Sequence, residues 1–380
     1  MSGLLLLPGL RRMWRDARTV QLGTDPRRAV VFEFARPRVA RLLDLLDGTR
    51  CERRVLDDAL AAGIPESDAR QLLDVLCDAR LAVPTESVLP SWLPEPARRR
   101  LGEEAAALAL GRRRRLAQAR LPPPGDSQPG DAQPAPAEVL RRRADARVLV
   151  TGASRLAGPI AQALATAGVG HVDPAITGRT DAYDVALLRL SPGDAGRPRS
   201  IAVAESLTRL APGTDVSPLR GGGATFVVQA GTGRPANLAA AAYARRLLPH
   251  LVVAVRDATV VVGPLVEPAG SPCLHCLDLH RRDRDPAWPA LVAQLSTSTP
   301  TCEPCALATT LAGVAYAVAE ALAYIDGRPT RTHGATIEID GPGDERRRTW
   351  PPHPTCDCAR RPSRGASHKL YSASEGTMIG

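Results

Sequence analysis

Between residues 37 and 79, apolar side chains return at helical spacing in three short stretches. Val39, Leu42, Leu43 and Leu46 share one face of 37–46, which stops at Gly48, where a residue without Cβ ends a helix readily. A second helix over 53–61 stops at Gly63, and a third, from 65 or 66 to 79, carries Ala69, Leu72, Leu73 and Leu76. Ahead of them, 19–22 and 29–34 read as strands joined by the turn residues Gly23, Asp25 and Pro26, and 81–83 returns as a strand. A hairpin with three helices predicts a small α+β domain of winged-helix type over 9–90.

From residue 146 the pattern changes to alternating strands and helices. A strand over 147–151 meets a turn at Gly152, a helix runs from Gly158 and Pro159 to 167, and 168–172 is a second strand that Asp173 closes. Strands follow at 183–190 and 225–229, helices at 199–210 and 237–248, and a hairpin at 251–255 and 259–262 around Arg256-Asp257. A long apolar helix spans 306–325. This order predicts a Rossmann-like α/β domain over 146–358. Asp173 stands roughly 20 residues past the first glycine, where a dinucleotide fold places its ribose carboxylate. Yet Ser154 occupies the position of the second glycine, which lets a backbone approach phosphate. A βαβ unit holding no ligand accounts for Gly152, Ser154, Gly158 and Asp173 as well.

The connecting stretch 91–145 contains a helix over 96–119, whose arginine clusters read as a solvated face, and a Pro/Gly-rich spacer over 122–136. Residues 359–380 lack hydrophobic periodicity and are expected to be a disordered tail.

A length of 380 residues with 44% hydrophobic content permits these two cores. The net charge of +9 is carried by arginine, Lys369 being the only lysine, which fits the coding bias of a GC-rich genome. Aromatic residues at 3% leave few stacking platforms for single-stranded nucleic acid. The third helix carries Glu66, Asp68, Asp74 and Asp78 against Arg70 and Arg80, so it would repel DNA phosphates. No nucleic acid partner is therefore expected. A peptide fits better: an extended segment would add a strand to the hairpin, in a groove between Val30, Val31, Phe32 and Phe34 and the helical Leu72, Leu73 and Leu76. The run Leu4 to Leu7 stops at Pro8 and no stretch is expected to span a bilayer, which predicts a cytoplasmic protein with no membrane partner.

Six of the eight cysteines form three close pairs in the last third of the chain: Cys273/Cys276, Cys302/Cys305 and Cys356/Cys358. Thiolates one or two residues apart converge on one ion, and two pairs complete the tetrahedral shell of structural zinc. Cys273, Cys276, Cys356 and Cys358 are the assigned ligands, with sets using Cys302 and Cys305 as the alternative. Disulfides are the other reading, and they need an oxidising compartment. Cys302 and Cys305, just before the long apolar helix, could also be a redox dithiol or small buried residues. His275, His280 and His353 are expected beside the shell, not in it. Core packing is the default for Cys51 and Cys77.

Four segments together carry a resemblance: Val262-Gly263-Pro264-Leu265, Cys273-Leu274-His275-Cys276-Leu277-Asp278-Leu279-His280-Arg281, Asp283-Arg284-Asp285-Pro286-Ala287-Trp288-Pro289 and Trp350 to Cys358. With the Gly-initiated βαβ start, they resemble the ThiF/MoeB family of ubiquitin-activating-type adenylyltransferases. The likeness is nearer to the variant that partners the cyclodehydratase in thiazole/oxazole-modified peptide biosynthesis. The resemblance implies a precursor-peptide recognition element in the N-terminal domain, a YcaO-type partner enzyme and pairing of two copies through the α/β domain. It also implies that active relatives follow the ribose carboxylate with an Asn and an Arg for the triphosphate, and use a later Asp for Mg²⁺. Here Arg179 is the sole candidate remnant, and the later strand ends in Gly231-Thr232-Gly233. Phosphoryl-type chemistry depends on such charges, so productive ATP binding is not expected. The expected function is a leader-peptide-binding adaptor. An active ATP-dependent adenylyltransferase and a winged-helix DNA-binding regulator are the alternatives.

Overall fold

The computed structural model describes residues 2–26, 28–119, 134–219, 223–231, 236–268, 271–297, 303–356 and 358. Most of the expected spacer, the expected tail, Cys302 and the loop residues 232–235 lie outside them. The chain forms two compact units, one of residues 1–146 with 162–171 and 207–216, the other of 147–161, 172–206 and 217 onward.

The first unit runs β1 (Leu4–Leu6), β2 (Arg12–Trp14), β3 (Thr19–Leu22), β4 (Val30–Glu33), α1 (Leu42–Leu45), α2 (Glu52–Ala61), α3 (Glu66–Asp78), β5 (Ala82–Pro84), α4 (Thr85–Val88), α5 (Glu95–Ala119) and α6 (Pro136–Asp145). The expected hairpin is the β3/β4 pair of a three-stranded antiparallel sheet in the order β2-β3-β4. The leucine run is a strand too, since β1 pairs with β5 from Leu4↔Pro84 to Leu6↔Ala82. β1 to β4 precede the helices and β5 follows α3, an arrangement that does not establish the winged-helix topology. Val20, Leu22, Phe34, Leu42, Val55, Leu73 and Leu76 share one core, so the amphipathic faces of α2 and α3 close over the sheet.

Helix α5 is more than a solvated connector. Leu7, Val88, Leu93, Leu101, Ala105, Ala109 and Leu140 form a second core, and Ala105 is fully buried. Arg143 of α6, 1% exposed, donates to Glu104 at 2.6 Å and to the Ala167 carbonyl at 3.1 Å. Arg113 reaches the Ala79 and Arg28 carbonyls, and burial lowers its pKa. Small residues at helical spacing let α5 lie close to its neighbours, a signal that the arginine runs obscured.

After residue 146 the chain, most of it in the second unit, runs β6 (Arg147–Gly152), α7 (Ala157–Thr166), β7 (His171–Ile176), α8 (Ala182–Leu187), α9 (Arg199–Leu210), β8 (Phe226–Ala230), α10 (Ala236–Arg245), β9 (His250–Arg256), β10 (Thr259–Val266), α11 (Leu274–Arg284), α12 (Trp288–Thr297), α13 (Leu307–Ile325), β11 (Ala335–Gly341) and β12 (Asp344–Thr349). Its seven-stranded sheet has the order β12-β11-β10-β9-β8-β6-β7. Pairing is parallel for β6/β8 and β8/β9 and antiparallel from β9 to β12. This is a mixed α/β domain.

Two expected elements differ. The expected strand over 183–190 is helix α8, nucleated by a capping box: the Asp184 N–H donates to the Asp181 carboxylate at 2.7 Å and the Asp181 N–H to that of Asp184 at 3.2 Å. The second strand runs on to Ile176, which leaves Asp173 inside it. A third difference concerns length: α13 is long and apolar enough to cross a membrane by composition alone. It instead packs on β9, β10 and β11, and its buried Glu320 accepts the Thr332 N–H at 2.8 Å and hydroxyl at 2.6 Å. Gly313 is required there, because a Cβ would meet the Val260 side chain at 2.4 Å.

Truncating Leu140, 1% exposed, should lower the stability of the first unit by about 3 kcal/mol. Thermal melting of Leu140→Ala checks this, and an unchanged first transition would mean that α5 and α6 are a solvated spacer after all.

Candidate metal centre and switch-point site

Cys273 is the residue before α11 and Cys276 lies in its first turn, so both thiols face the positive end of the helix dipole. The second pair arrives from the segment after β12. The Cys273 and Cys356 sulfurs are 3.6 Å apart, Cys276 and Cys358 3.2 Å, and Cys273 and Cys276 4.0 Å. All four lie within 4.8 Å of one another. Zn–S bonds of about 2.3 Å place tetrahedral sulfurs about 3.8 Å apart, so the four thiols fit one ion. They are the only such cluster among the described residues. Cys305 is elsewhere, its sulfur 3.4 Å from the Ala258 carbonyl.

The thiols are held as ligands are. Cys276 is fully buried, and although burial raises its pKa, the His353 N–H and the Cys358 thiol outweigh that and lower it. Burial pushes the Cys356 thiol up to about 11 and raises Cys358 further. A divalent cation supplies the charge that lets such thiols ionise. The expected placement of the histidines beside the shell fits for two of them. His353 donates a backbone N–H to Cys276 at 3.3 Å, while its Nε2 lies 2.7 Å from Asp283 and lowers that carboxyl's pKa. His280 bonds the Pro351 carbonyl at 2.9 Å. Around Trp350, 4% exposed, stand the guanidiniums of Arg281, Arg284 and Arg348, 5.6–6.0 Å from its ring centre. Burial, then the neighbouring Arg256, brings Arg281 down to about 10.

The second site lies where β6 has β7 on one side and β8 on the other, the switch point at which open α/β sheets bind ligands beyond their carboxyl ends. Gly152 ends β6 at φ +117, and a Cβ there would sit 1.8 Å from the Ala230 carbonyl oxygen. Strand approach demands this glycine, whatever the loop binds. Gly158 has a packing reason too, since a Cβ would meet Leu188 at 2.9 Å. The Ser154 hydroxyl donates to Glu303 at 2.8 Å and accepts the Leu156 N–H at 3.3 Å. Asp173, 7% exposed, accepts the Leu219 N–H at 2.7 Å. Arg179 donates to the Gly196 carbonyl at 2.6 Å. The arginine at the loop is Arg199, on the Ala153 carbonyl at 2.8 Å and on the buried Asp184 at 2.9 Å. Sequence reasoning missed both Arg199 and Glu303. The capping pair Asp181/Asp184 was a signal for the former's partner, and nothing local marks the latter.

Of the expected groove residues, Val31 is 43% exposed, Val30 and Phe32 are half-buried, and Phe34 is 6% exposed. Leu72, Leu73 and Leu76 are core residues at 6%, 2% and 0%, so they lie beneath the surface and do not line it. β4 is an edge strand, with no strand on its outer side among the described residues. The Phe34 N–H turns inward to the Arg18 carbonyl at 2.9 Å. By alternation, the N–H groups of Val31 and Glu33 face outward.

No family model and no curated protein matches the chain. Solved structures match at the level of fold. Escherichia coli MccB shares 14% identity over 99% of this chain and 100% of its own, with a TM-score of 0.55. The structure of MccB with ATP gives 0.59 at 14% identity, covering 94% of this chain and 99% of that one. The heterocyclase TruD gives 0.56 at 14% identity over 94% of this chain, which spans 43% of TruD. MccB, described as a microcin C7 biosynthetic enzyme, has also been solved with N-formylated MccA.

Elemental analysis of the purified chain should find one thiophilic divalent metal ion per molecule. Cys273→Ser with Cys358→Ser should lose it; a folded metal-free chain, or full metal content in that double variant, would refute the assignment.

Proposed function

We propose that this chain is an adaptor that grips the leader of a ribosomal precursor peptide and presents its core residues to a separate YcaO-type cyclodehydratase of the thiazole/oxazole class. The observation that carries the reading is the open outer edge of β4, with the Val31 and Glu33 amides turned to solvent beside an acidic α3. An extended leader adds there as a fourth strand of the β2-β3-β4 sheet, gaining main-chain hydrogen bonds. Its apolar side chains pack on Val30, Val31 and Phe32, over a floor built by Phe34, Leu72, Leu73 and Leu76. The fold shared with MccB, solved in complex with MccA, and with a heterocyclase supports a peptide-modifying role.

In this reading the recognition domain is 9–90, and the α/β domain of 146–358 is a scaffold. The four-cysteine site takes structural zinc, contributing on the order of 10 kcal/mol to its unit. Catalysis is by proximity: a docked leader holds the Ser, Thr or Cys side chains at an effective concentration of about a millimolar near the partner's active site.

The second reading is an ATP-dependent adenylyltransferase, favoured by the shared fold with MccB, which has been solved with ATP. Against it stand Asp173 and Arg179, both bonded to the chain's own backbone, and the absence of an acidic group in Phe226–Gly231.

Val31→Pro removes one outward N–H and leaves the inward ladder to β3 in place. It should weaken binding of a Cys/Ser/Thr-rich precursor's leader peptide that the unaltered chain binds by about tenfold or more, as read by fluorescence anisotropy with a folded variant. Undiminished affinity would refute the β4 site. ATP–pyrophosphate exchange with the same precursor should stay at background; exchange lost in Asp173→Ala would establish the second reading instead.

A further inference from the structure

The groove between β4 and α3 has two unlike ends. At one, Arg36, past the end of β4, meets Asp68 in the first turn of α3 at 3.3 Å. At the other, the Arg113 guanidinium of α5 donates to the Ala79 carbonyl at 3.3 Å, where α3 ends, and to the Arg28 carbonyl at 3.4 Å, just before β4. Strand and helix therefore run in opposite directions, and a strand added to β4 leads at one end to Arg113. Beside that end lies a small pocket lined by Leu7, Arg80, Val83, Val88, Arg112 and Arg113. It leaves about 20 Å³ for the centre of a water-sized group, enough to seat one carboxylate oxygen.

The walls of this pocket are cationic and lack a matching anion. Burial, then the neighbouring Arg80, lowers the pKa of Arg112, and burial lowers that of Arg113. The carboxylate that acts on Arg112 is Glu138, which itself bonds Arg142 at 2.7 Å. Arg80 and Arg113 form no ion pair among the described residues, and the Arg80 guanidinium forms no hydrogen bond there. Arg80 also holds the left-handed position that closes α3, at φ +52, with the Leu81 N–H on the Leu76 carbonyl at 2.8 Å. Glycine is the usual residue at such a place. The negative end of the α3 dipole accounts for one cation. Three guanidiniums, two of them drawn partly out of water, exceed that need, and a carboxylate held by charge-assisted hydrogen bonds would balance them.

We propose that Arg80, Arg112 and Arg113 form an acid clamp at the end of the leader groove: they take the carboxylate of an Asp or Glu that lies in the leader just beyond its added strand, and so fix the register of that strand on β4. The proposal rests on the reading of β4 as the leader site. Main-chain pairing alone separates registers poorly. A slip by one residue turns the apolar leader side chains out of the groove, but a slip by two keeps them in it. A charge gripped at one end distinguishes the two registers. Asp74 and Asp78, exposed along α3, would repel the same carboxylate elsewhere in the groove.

The test is a charge cycle on the full chain, read by anisotropy with a fluorescent leader peptide that the unaltered chain binds and with peptides in which each Asp or Glu is replaced singly by Asn or Gln. One of these replacements should weaken binding by about tenfold, the scale of one charge-assisted hydrogen bond. Arg80→Gln with Arg112→Gln should weaken the unaltered leader as much and make that replacement neutral; should the double variant not fold, Arg80→Gln alone carries the cycle. Arg114→Gln removes the same charge from an exposed position of α5 and should shift affinity by less than about twofold. Hydrogen exchange at Val31 and Glu33 separates this claim from the reading it rests on. Protection there by a leader with no sensitive acid, or with a loss that the arginine variants do not absorb, would overturn the clamp and leave the β4 site standing. So would an equal loss in Arg114→Gln, the mark of a diffuse charge effect. Binding with no protection at β4 would remove both.

Discussion

No side chain can exist at residue 152. The β6 and β8 backbones approach so closely at their carboxyl ends that a Cβ would overlap the Ala230 oxygen at 1.8 Å, and the rest of the α/β unit is arranged around that contact. It sets the parallel register from Val148↔Phe226 to Gly152↔Ala230. It also turns the chain into the 152–156 loop at the switch point of the sheet. A glycine that would pass for part of a phosphate fingerprint is thus a condition of the sheet. What the loop does is decided by the groups around it: Ser154 and the Arg155 amide face a carboxylate, Asp173 faces a backbone amide, and Arg179 faces a carbonyl.

At the other end of the unit the constraint is chemical. Four thiols from two distant segments meet within 4.8 Å, and burial of Cys356 and Cys358 opposes the ionisation of those two without a cation. A metal ion there would fasten the segment after β12 to the start of α11. The Trp350 ring, under three guanidiniums and bonded through Nε1 to Thr336 at 3.1 Å, packs beside it. The two ends of the unit thus differ: at one, four thiols converge, and at the other the Glu303 carboxylate accepts the Ser154 hydroxyl and the Arg155 N–H.

Much of this could be read from residues alone, because it rests on local spacing. The cysteine pairs converge as their spacing required, and β3, β4, α2, α3, α9 and α13 follow turn residues and apolar periodicity. Errors arose where a short apolar run fits both periods. Val185, Leu187, Leu188 and Leu190 suit a strand, and only the Asp181/Asp184 capping box makes the segment a helix. The Leu4 to Leu6 run gained its role from Ala82 to Pro84, far along the chain. Leu72, Leu73 and Leu76 were chosen for an interface on their apolarity, but the same apolarity places them in the core. Glu303 could not be found at all, since nothing near it in sequence announces a partner 149 residues away.

The central claim is that a peptide adds a strand to β4. Hydrogen exchange of the full chain, with and without the leader peptide, reads this at single amides. The outward N–H groups of Val31 and Glu33 should become protected when leader is added, while the Phe34 amide, already bonded to Arg18, should change little. Protection confined to residues 147–358, with the β4 amides unaltered under saturating leader, would contradict the account.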